Sequence, residues 1–128
     1  MIELVPVTAL YAGALAILVI YLSFRVAMMR RAGGIGIGDG GNSSLSKAIR
    51  VQGNAVEYVP LALVLLLLLE LNGAQPAMLH ALGGTLVLAR VLHAWGLSST
   101  AGVSIGRLYG TMLTWIVILS AGVLNILL

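Results

Sequence analysis

Long apolar stretches, separated by short polar ones, take up almost all of the 128 residues of this chain. Four of these stretches approach the roughly 20 residues that a helix needs to cross a bilayer. They predict helices over about 4–30, 45–72, 76–97 and 103–127, which leave little chain outside them. The pattern therefore predicts an all-α integral membrane protein, with residues 1–128 forming a single four-transmembrane-helix bundle.

Local signals mark where the second helix should begin and end. Ser44 or Ser46 is suited to be its N-cap, and Asn72 with Gly73 forms a good C-terminal stop. The connection before it, 32–44, is rich in glycine and is interpreted as a flexible cytoplasmic loop. This loop contains a G-x-G-x-x-G match, but no strand precedes the match and no helix opens directly after it, so nucleotide binding is not expected.

Composition and charge agree with a membrane protein and suggest its orientation. Hydrophobic residues make up 60% of the chain and charged residues only 9%, whereas soluble domains carry about 25% charged residues. Most basic side chains flank the first and third connections, and these are Arg25, Arg30, Arg31, Lys47, Arg50 and Arg107. The positive-inside rule then predicts that both connections are cytoplasmic and both termini lie on the opposite side. Topology thus explains the net charge of +3, and no nucleic-acid partner is expected.

The chain contains no cysteine, which excludes disulfides, thiolate metal sites and a cysteine nucleophile. No metal site is expected. The first apolar stretch lacks a preceding basic region and is followed by basic residues rather than by a small-residue cleavage site, so it is interpreted as a retained helix and not as a signal peptide.

A polar face enters the leucine-rich second helix. Arg50, Asn54 and Glu57 are spaced four and three residues apart, which places them within roughly 60° of one another around a helix. Polar groups this close to hydrocarbon are costly, so the face requires a partner. Pro60 follows within one turn, and it is expected to bend the helix and free a backbone carbonyl.

Possible partners lie at the same depth on the third and fourth helices. Arg90 and His93 share one face of helix three, and Arg107 lies early in helix four. A single glutamate cannot neutralise several arginines, and an unpaired buried ion is far more costly than a paired one. The cluster therefore favours a small anion whose carboxylates bind arginine and whose ammonium binds Glu57. The alternative is that Arg50 pairs with Glu57 and that Arg90 satisfies helix two.

Smaller features concern packing and the membrane interface. Gly102, Gly106 and Gly110 have a small-xxx-small spacing, which predicts a close approach of helix four to a neighbouring helix. Trp95 suits an aromatic belt at the interface. His80 lies near the opposite end of helix three and is assigned no role.

The motif Arg50-x-Gln52-x-Asn54-x-x-Glu57-Tyr58-x-Pro60 resembles the second-helix signature of the MAPEG family, the membrane-associated proteins in eicosanoid and glutathione metabolism. It is closest to the pattern of the leukotriene-forming synthases. The segments Arg30-Arg31-Ala32 and Ala89-Arg90-Val91-Leu92-His93 are similar to corresponding segments of the family. Arg107 is similar in placement to the catalytic arginine of the family.

This resemblance implies a homotrimer with three sites at subunit interfaces that open to the cytoplasm. Glutathione, the implied co-substrate, would lie between helices one and two of one subunit and helices three and four of its neighbour. The residues implied to bind it are Arg30, Arg50, Gln52, Asn54, Glu57, Tyr58, Arg90 and His93. Arg107 is implied to stabilise the glutathione thiolate, because only the thiolate is a competent nucleophile and a guanidinium favours the charged form.

The implied function is that of a membrane-bound glutathione-dependent transferase or peroxidase. It would activate glutathione as a thiolate for attack on lipophilic electrophiles or lipid hydroperoxides that arrive from the membrane, as in detoxification. Two features depart from the eicosanoid-forming members: Leu97 stands where they carry a second tyrosine, and the turn before Arg107 is longer. Both bear on the register of Arg107 more than on the binding set of helix two.

Two alternatives remain at this point. The first is a non-catalytic lipid-binding or scaffold protein, because the family includes a lipoxygenase-activating member without transferase chemistry. The second is a small proton-coupled multidrug exporter, although such a protein would carry its acidic residue in helix one. The short loops favour a bacterial inner membrane, and nothing in the sequence specifies the electrophile.

Overall fold

The computed structural model describes residues 4–99 and 105–128, except for the side chains of 97–99. Its helices are α1 (Pro6–Gly33), α2 (Ser43–Leu71), α3 (Pro76–Ser99) and α4 (Ile105–Leu127). All four are long and apolar enough to cross a membrane. The predicted four-helix transmembrane architecture is therefore confirmed.

The helix boundaries differ from the prediction by a few residues at most, and one capping residue was predicted wrongly. Neither Ser44 nor Ser46 caps α2, because the helix begins at Ser43, two residues earlier than predicted. Asn42 is the N-cap, with an extended backbone and a side-chain oxygen that accepts a hydrogen bond from the amide of Leu45 at 3.1 Å. At the other end Gly73 has a φ of 84° directly after Asn72, which is the predicted stop.

The helices α2 and α3 form the centre of the bundle. Both α1 and α4 pack against α2 and α3, whereas the backbones of α1 and α4 do not come close to each other within the described residues. The inner face of α2 carries buried apolar residues at helical spacing, and these are Leu45, Ala48, Val51, Ala55, Val59, Ala62, Leu66 and Leu69. This face fixes the rotation of α2, so its polar residues are held at the edge of the bundle.

Glycines on α4 allow the backbones of α4 and α3 to come into direct contact. A Cβ atom on Gly106 would lie 2.8 Å from the carbonyl oxygen of Leu92, and a Cβ on Gly110 would lie 2.6 Å from that of Ala89. The predicted close approach is therefore confirmed for these two glycines, and Gly102 lies outside the described residues. The consequence for function is that α4 presents its first turns directly against the polar part of α3.

At the opposite end of the bundle, Glu70 of α2 closes the N-terminus of α1. Its two carboxylate oxygens accept hydrogen bonds from the amides of Val7 at 2.9 Å and Thr8 at 2.6 Å. The N-cap residue Val5 provides no side-chain acceptor, so a carboxylate on another helix satisfies these first-turn amides and faces the positive end of the helix dipole.

His80, which had been assigned no role, contacts α1 close to this cap. The hydroxyl of Tyr11 lies 2.8 Å from Nδ1 of His80, and the two rings meet edge to face. The Tyr11 ring occupies the space where a Cβ of Gly83 would be. The first, second and third helices are thus joined by polar contacts at this end.

Candidate functional site

A buried arginine lies at the centre of the candidate site. Arg90 on α3 is only 1% exposed. Its Nη1 donates to the hydroxyl of Thr114 on α4 at 3.4 Å, and this hydroxyl donates in turn to the carbonyl of Gly110 at 2.8 Å. Among the described residues, Nε and Nη2 of Arg90 have no hydrogen-bond partner. The guanidinium is therefore anchored on α4, not on α2 as the alternative had it, and keeps unused donors.

His93 extends this buried polar region by one turn of α3. The residue is 4% exposed, and its Nδ1 has no hydrogen-bond partner among the described residues. Three arginines lie within electrostatic range of the ring, namely Arg90, Arg107 and Arg50. They come from α3, α4 and α2, so three helices of one subunit concentrate positive charge around a single histidine.

The helix-two residues supply the open side of this region. Nη1 of Arg50 lies 3.6 Å from Oε1 of Glu57, and the two side chains are 58% and 55% exposed. An ion pair this exposed contributes little to stability, because water screens it, so a ligand can replace it at small cost. The pair therefore forms an accessible rim on the surface of α2.

Gly53 makes room for this rim. A Cβ at this position would lie 3.2 Å from Nη1 of Arg50 and 3.9 Å from Oε1 of Glu57. One residue further along α2, the side-chain oxygen of Asn54 is buried without a partner among the described residues. This part of α2 thus combines the open surface at Gly53 with a buried acceptor, the side-chain oxygen of Asn54, that has no donor among the described residues.

The remaining predicted site residues fall into two groups. Tyr58 is half-buried and interacts electrostatically with Arg90, so it borders the cluster. By contrast, Nε2 of Gln52 donates to the hydroxyl of Ser23 on α1 at 3.4 Å, and Nη1 of Arg30 donates to a carbonyl of the first loop at 2.6 Å. Gln52 and Arg30 therefore point away from the cluster within their own subunit.

The resemblance implies that α1 and α2 of one subunit face α3 and α4 of a neighbour. Within one chain, Arg50 of α2 and Arg107 of α4 both lie within electrostatic range of His93 on α3. The packing of α2 against both α3 and α4 accounts for this proximity.

Two contributors to this region were not predicted from the sequence. Thr114 accepts from the buried arginine, and Gly53 leaves space for the exposed ion pair. Thr114 follows Gly110 by four residues and so continues the small-xxx-small spacing of α4, which was a usable signal. Gly53 had no such signal, because an isolated glycine in a helix pattern does not reveal what fills the space beside it.

The chemistry available at this site is anion binding with an adjacent cation for a developing negative charge. Arginine presents several donors in a planar fork that suits carboxylates. Glu57 and the buried oxygen of Asn54 add acceptors for an ammonium or amide donor. Within 4–99 and 105–128, no three residues of the types His, Asp and Glu are grouped so that they could hold a metal.

Comparison with known proteins identifies the family. A model described as the MAPEG family matches residues 8–127. Similar proteins include the Inner membrane protein YecN of Escherichia coli K12 and the protein of the same name in Escherichia coli O6:H1. Each is 47% identical over 90 residues, which cover 70% of this chain and 69% of the relative. The chain, a four-helix integral membrane protein with a buried arginine, belongs to the MAPEG family.

Proposed function

We propose that this protein is a membrane-bound glutathione-dependent transferase or peroxidase. In this proposal Arg50, Asn54, Glu57, Tyr58, Arg90 and His93 bind glutathione, and Arg107 stabilises its thiolate. The observation that carries the proposal is the buried guanidinium of Arg90, whose Nε and Nη2 have no partner among the described residues. Burying a charged group with unsatisfied donors is costly, which favours a ligand that supplies acceptors.

The charges of glutathione match those of the site. Its two carboxylates are acceptors for arginine, and its ammonium suits a carboxylate such as Glu57. Glu57 is paired with Arg50 across an exposed surface. Exchange of this pair for two ligand contacts costs little, because exposed ion pairs are weak.

Arg107 is the residue to which we assign catalysis. It lies in the first turn of α4, partly buried and within electrostatic range of His93. A thiolate is the nucleophilic form of the thiol, and a nearby guanidinium favours it over the neutral thiol. Arg107 would therefore hold the sulfur in its reactive state while the other residues hold the rest of the tripeptide.

The second substrate would be lipophilic and would arrive from the bilayer. In a transferase reaction the sulfur lone pair forms a carbon–sulfur bond while the electrophile's leaving group departs with its electron pair and gains a proton from water. In a peroxidase reaction the sulfur attacks one peroxide oxygen and the oxygen–oxygen bond breaks. The lipid alcohol then leaves after protonation, and a second glutathione reduces the oxidised sulfur to give a disulfide and water.

We also propose the assembly and the location. A homotrimer would let Arg30 and Gln52, which point away from their own cluster, contribute to the site of an adjacent subunit. Location in a bacterial inner membrane agrees with the four apolar helices and with the name of the relatives in Escherichia coli.

The test is a titration of purified protein with glutathione, followed by the ultraviolet absorbance of the thiolate at neutral pH. We expect thiolate formation at up to roughly millimolar glutathione. Arg107→Ala should abolish the thiolate signal while glutathione still binds, as measured by calorimetry. Arg50→Ala or Glu57→Gln should weaken binding about tenfold or more.

The control Arg25→Gln removes an arginine outside the cluster and should change neither signal. Absence of binding in the unmodified protein would refute the proposal, and thiolate formation by Arg107→Ala would refute the role of Arg107.

A second candidate function is a non-catalytic lipid-binding or scaffold role within the same family. The observation that favours it is the Arg50–Glu57 pair, which already satisfies both charges without a ligand. In that case the protein would bind no glutathione, and neither Arg50→Ala nor Glu57→Gln would alter any thiol-dependent signal.

A further inference from the structure

A groove lies between α1 and α3, and none of the residues assigned to glutathione lines it. Its cavity volume is about 210 Å³, and its lining combines apolar side chains, two aromatic rings and one cation. The lining residues are Leu18, Tyr21, Arg25, Val91, Ala94 and Trp95. We propose that this groove binds an anionic phospholipid, with the phosphate at Arg25 and an acyl chain along the apolar wall.

Arg25 has no protein counter-ion in the part of the chain that the structure describes. Three acidic residues lie in that part, and each is engaged elsewhere. Glu57 pairs with Arg50, Glu70 caps α1, and Asp39 accepts from a loop amide at 2.9 Å. Arg25 is therefore available to pair with an anion from outside the protein.

The depth of the groove matches the headgroup region. Arg25 follows Pro6, the first residue of α1, by 19 residues, and Trp95 follows Pro76, the first residue of α3, by the same interval. Each interval corresponds to about 28 Å along a helix, close to the roughly 30 Å of a hydrocarbon core. Both helices run in the same direction across the membrane, so the guanidinium and the indole reach one interface together.

The side chains around Arg25 suit the rest of a lipid. Tyr21 and Trp95 are 57% and 62% exposed beside the cation, and such aromatic rings are typical of the headgroup level. Leu18 and Val91 lie one to two turns deeper on α1 and α3, where an acyl chain would run. An arginine that only extends to the headgroup region requires no neighbouring apolar and aromatic side chains. Their presence beside Arg25 therefore favours a bound lipid over a non-specific contact.

Charge selectivity at Trp95 tests this proposal. Trp115→Phe leaves Trp95 as the only tryptophan, since the chain contains two. In membranes that contain brominated phosphatidylglycerol or brominated phosphatidylcholine, quenching of Trp95 reports which lipid occupies the groove. We expect the anionic lipid to be preferred about fivefold, the effect of one basic residue near a charged surface.

Variants of Arg25 and a matched control identify the source of the selectivity. Arg25→Gln should reduce the preference to about one, Arg25→Lys should retain it, and Arg31→Gln, which removes the same charge outside the groove, should leave it unchanged. Equal quenching by both lipids, or a preference that survives Arg25→Gln, would overturn the proposal. A third outcome would also overturn it. If neither lipid quenches Trp95, while both quench Trp115 in the Trp95→Phe protein, another protein surface covers the groove.

Native mass spectrometry provides a readout without tryptophan substitutions. The unmodified protein should retain phosphatidylglycerol in preference to phosphatidylcholine after release from detergent, and Arg25→Gln should lose one such lipid per chain. Retention of the same number of anionic lipids by both proteins would contradict the assignment.

Discussion

The guanidinium of Arg50 and the carboxylate of Glu57 meet 3.6 Å apart across the one position between them that has no side chain, Gly53. The two residues are seven positions apart on α2, which is about two turns along one face of the helix. A ligand that binds Arg50 and Glu57 separately has to lie over this bare stretch of backbone.

Gly53→Ala should therefore separate ligand binding from stability. The new methyl would lie 3.2 Å from the end of a flexible arginine side chain, which can move aside, and alanine favours a helix over glycine by about 0.5–1 kcal/mol. We expect an unchanged or raised Tm together with weaker glutathione binding in calorimetry. Gly13→Ala on α1, where nothing lies within 4 Å of the new methyl, should raise Tm without any effect on binding. Unchanged binding in Gly53→Ala would show that the ligand does not lie over this surface.

Gly110→Ala should lower stability because its methyl would meet backbone. It would lie 2.6 Å from the carbonyl oxygen of Ala89 and 2.7 Å from Cβ of His93, and neither atom can move without shifting α3. We expect a loss of about 1–3 kcal/mol, measured as a lower Tm in detergent. On the same helix, Gly122→Ala meets nothing within 4 Å and should be neutral or stabilising. Equal Tm values for the two variants would contradict the close packing of α3 and α4.

Thr114→Val should expose the dependence of Arg90 on Thr114, its one hydrogen-bond acceptor among the described residues. The substitution keeps the side-chain volume but removes the hydroxyl that accepts from Nη1, so the buried guanidinium loses that partner. We expect a loss of about 1–3 kcal/mol in unfolding free energy, and Thr114→Ser should restore most of it. Thr85→Val, which removes only a hydroxyl bond to the backbone of its own helix, is the control and should cost less. If Thr114→Val and Thr85→Val cost the same, Arg90 does not rely on Thr114.

Glu70→Gln should loosen the start of α1. The charge of the carboxylate faces the positive helix end, and its removal should cost about 1–2 kcal/mol. Hydrogen exchange at the amides of Val7 and Thr8 should become faster, since both donate to this carboxylate. Glu57→Gln changes the same functional group on the same helix and should leave these amides protected. Protection of Val7 and Thr8 in Glu70→Gln would show that another group caps α1.

The fold was largely predictable from the sequence because hydrophobic length determines it. In a bilayer the backbone has to satisfy its own hydrogen bonds, so four apolar stretches of sufficient length leave few architectures. The polar face of α2 was also visible, since Arg50, Asn54 and Glu57 follow helical spacing. Family resemblance then supplied the expectation of glutathione, which spacing alone did not contain.

The contacts between helices were not predictable, because they depend on rotation and proximity. Arg90 could equally have turned to α2 or to α4, and only the close approach at Gly106 and Gly110 brings Thr114 within its reach. The sequence places Glu70 near the end of a helix, but the amide of Thr8 that donates to it lies 62 residues earlier in the chain. Pairings of this kind leave no local periodicity for a sequence to reveal.

The carboxylate of Glu70 also imposes an order of events on biogenesis. The first turn of α1 is made early in translation, but the group that completes it belongs to the last turn of α2. Until α2 has crossed the bilayer in full, the leading end of α1 keeps amides that no acceptor on Val5 can satisfy. The two helices are therefore joined at this end only when both have crossed the bilayer in the correct, opposite directions.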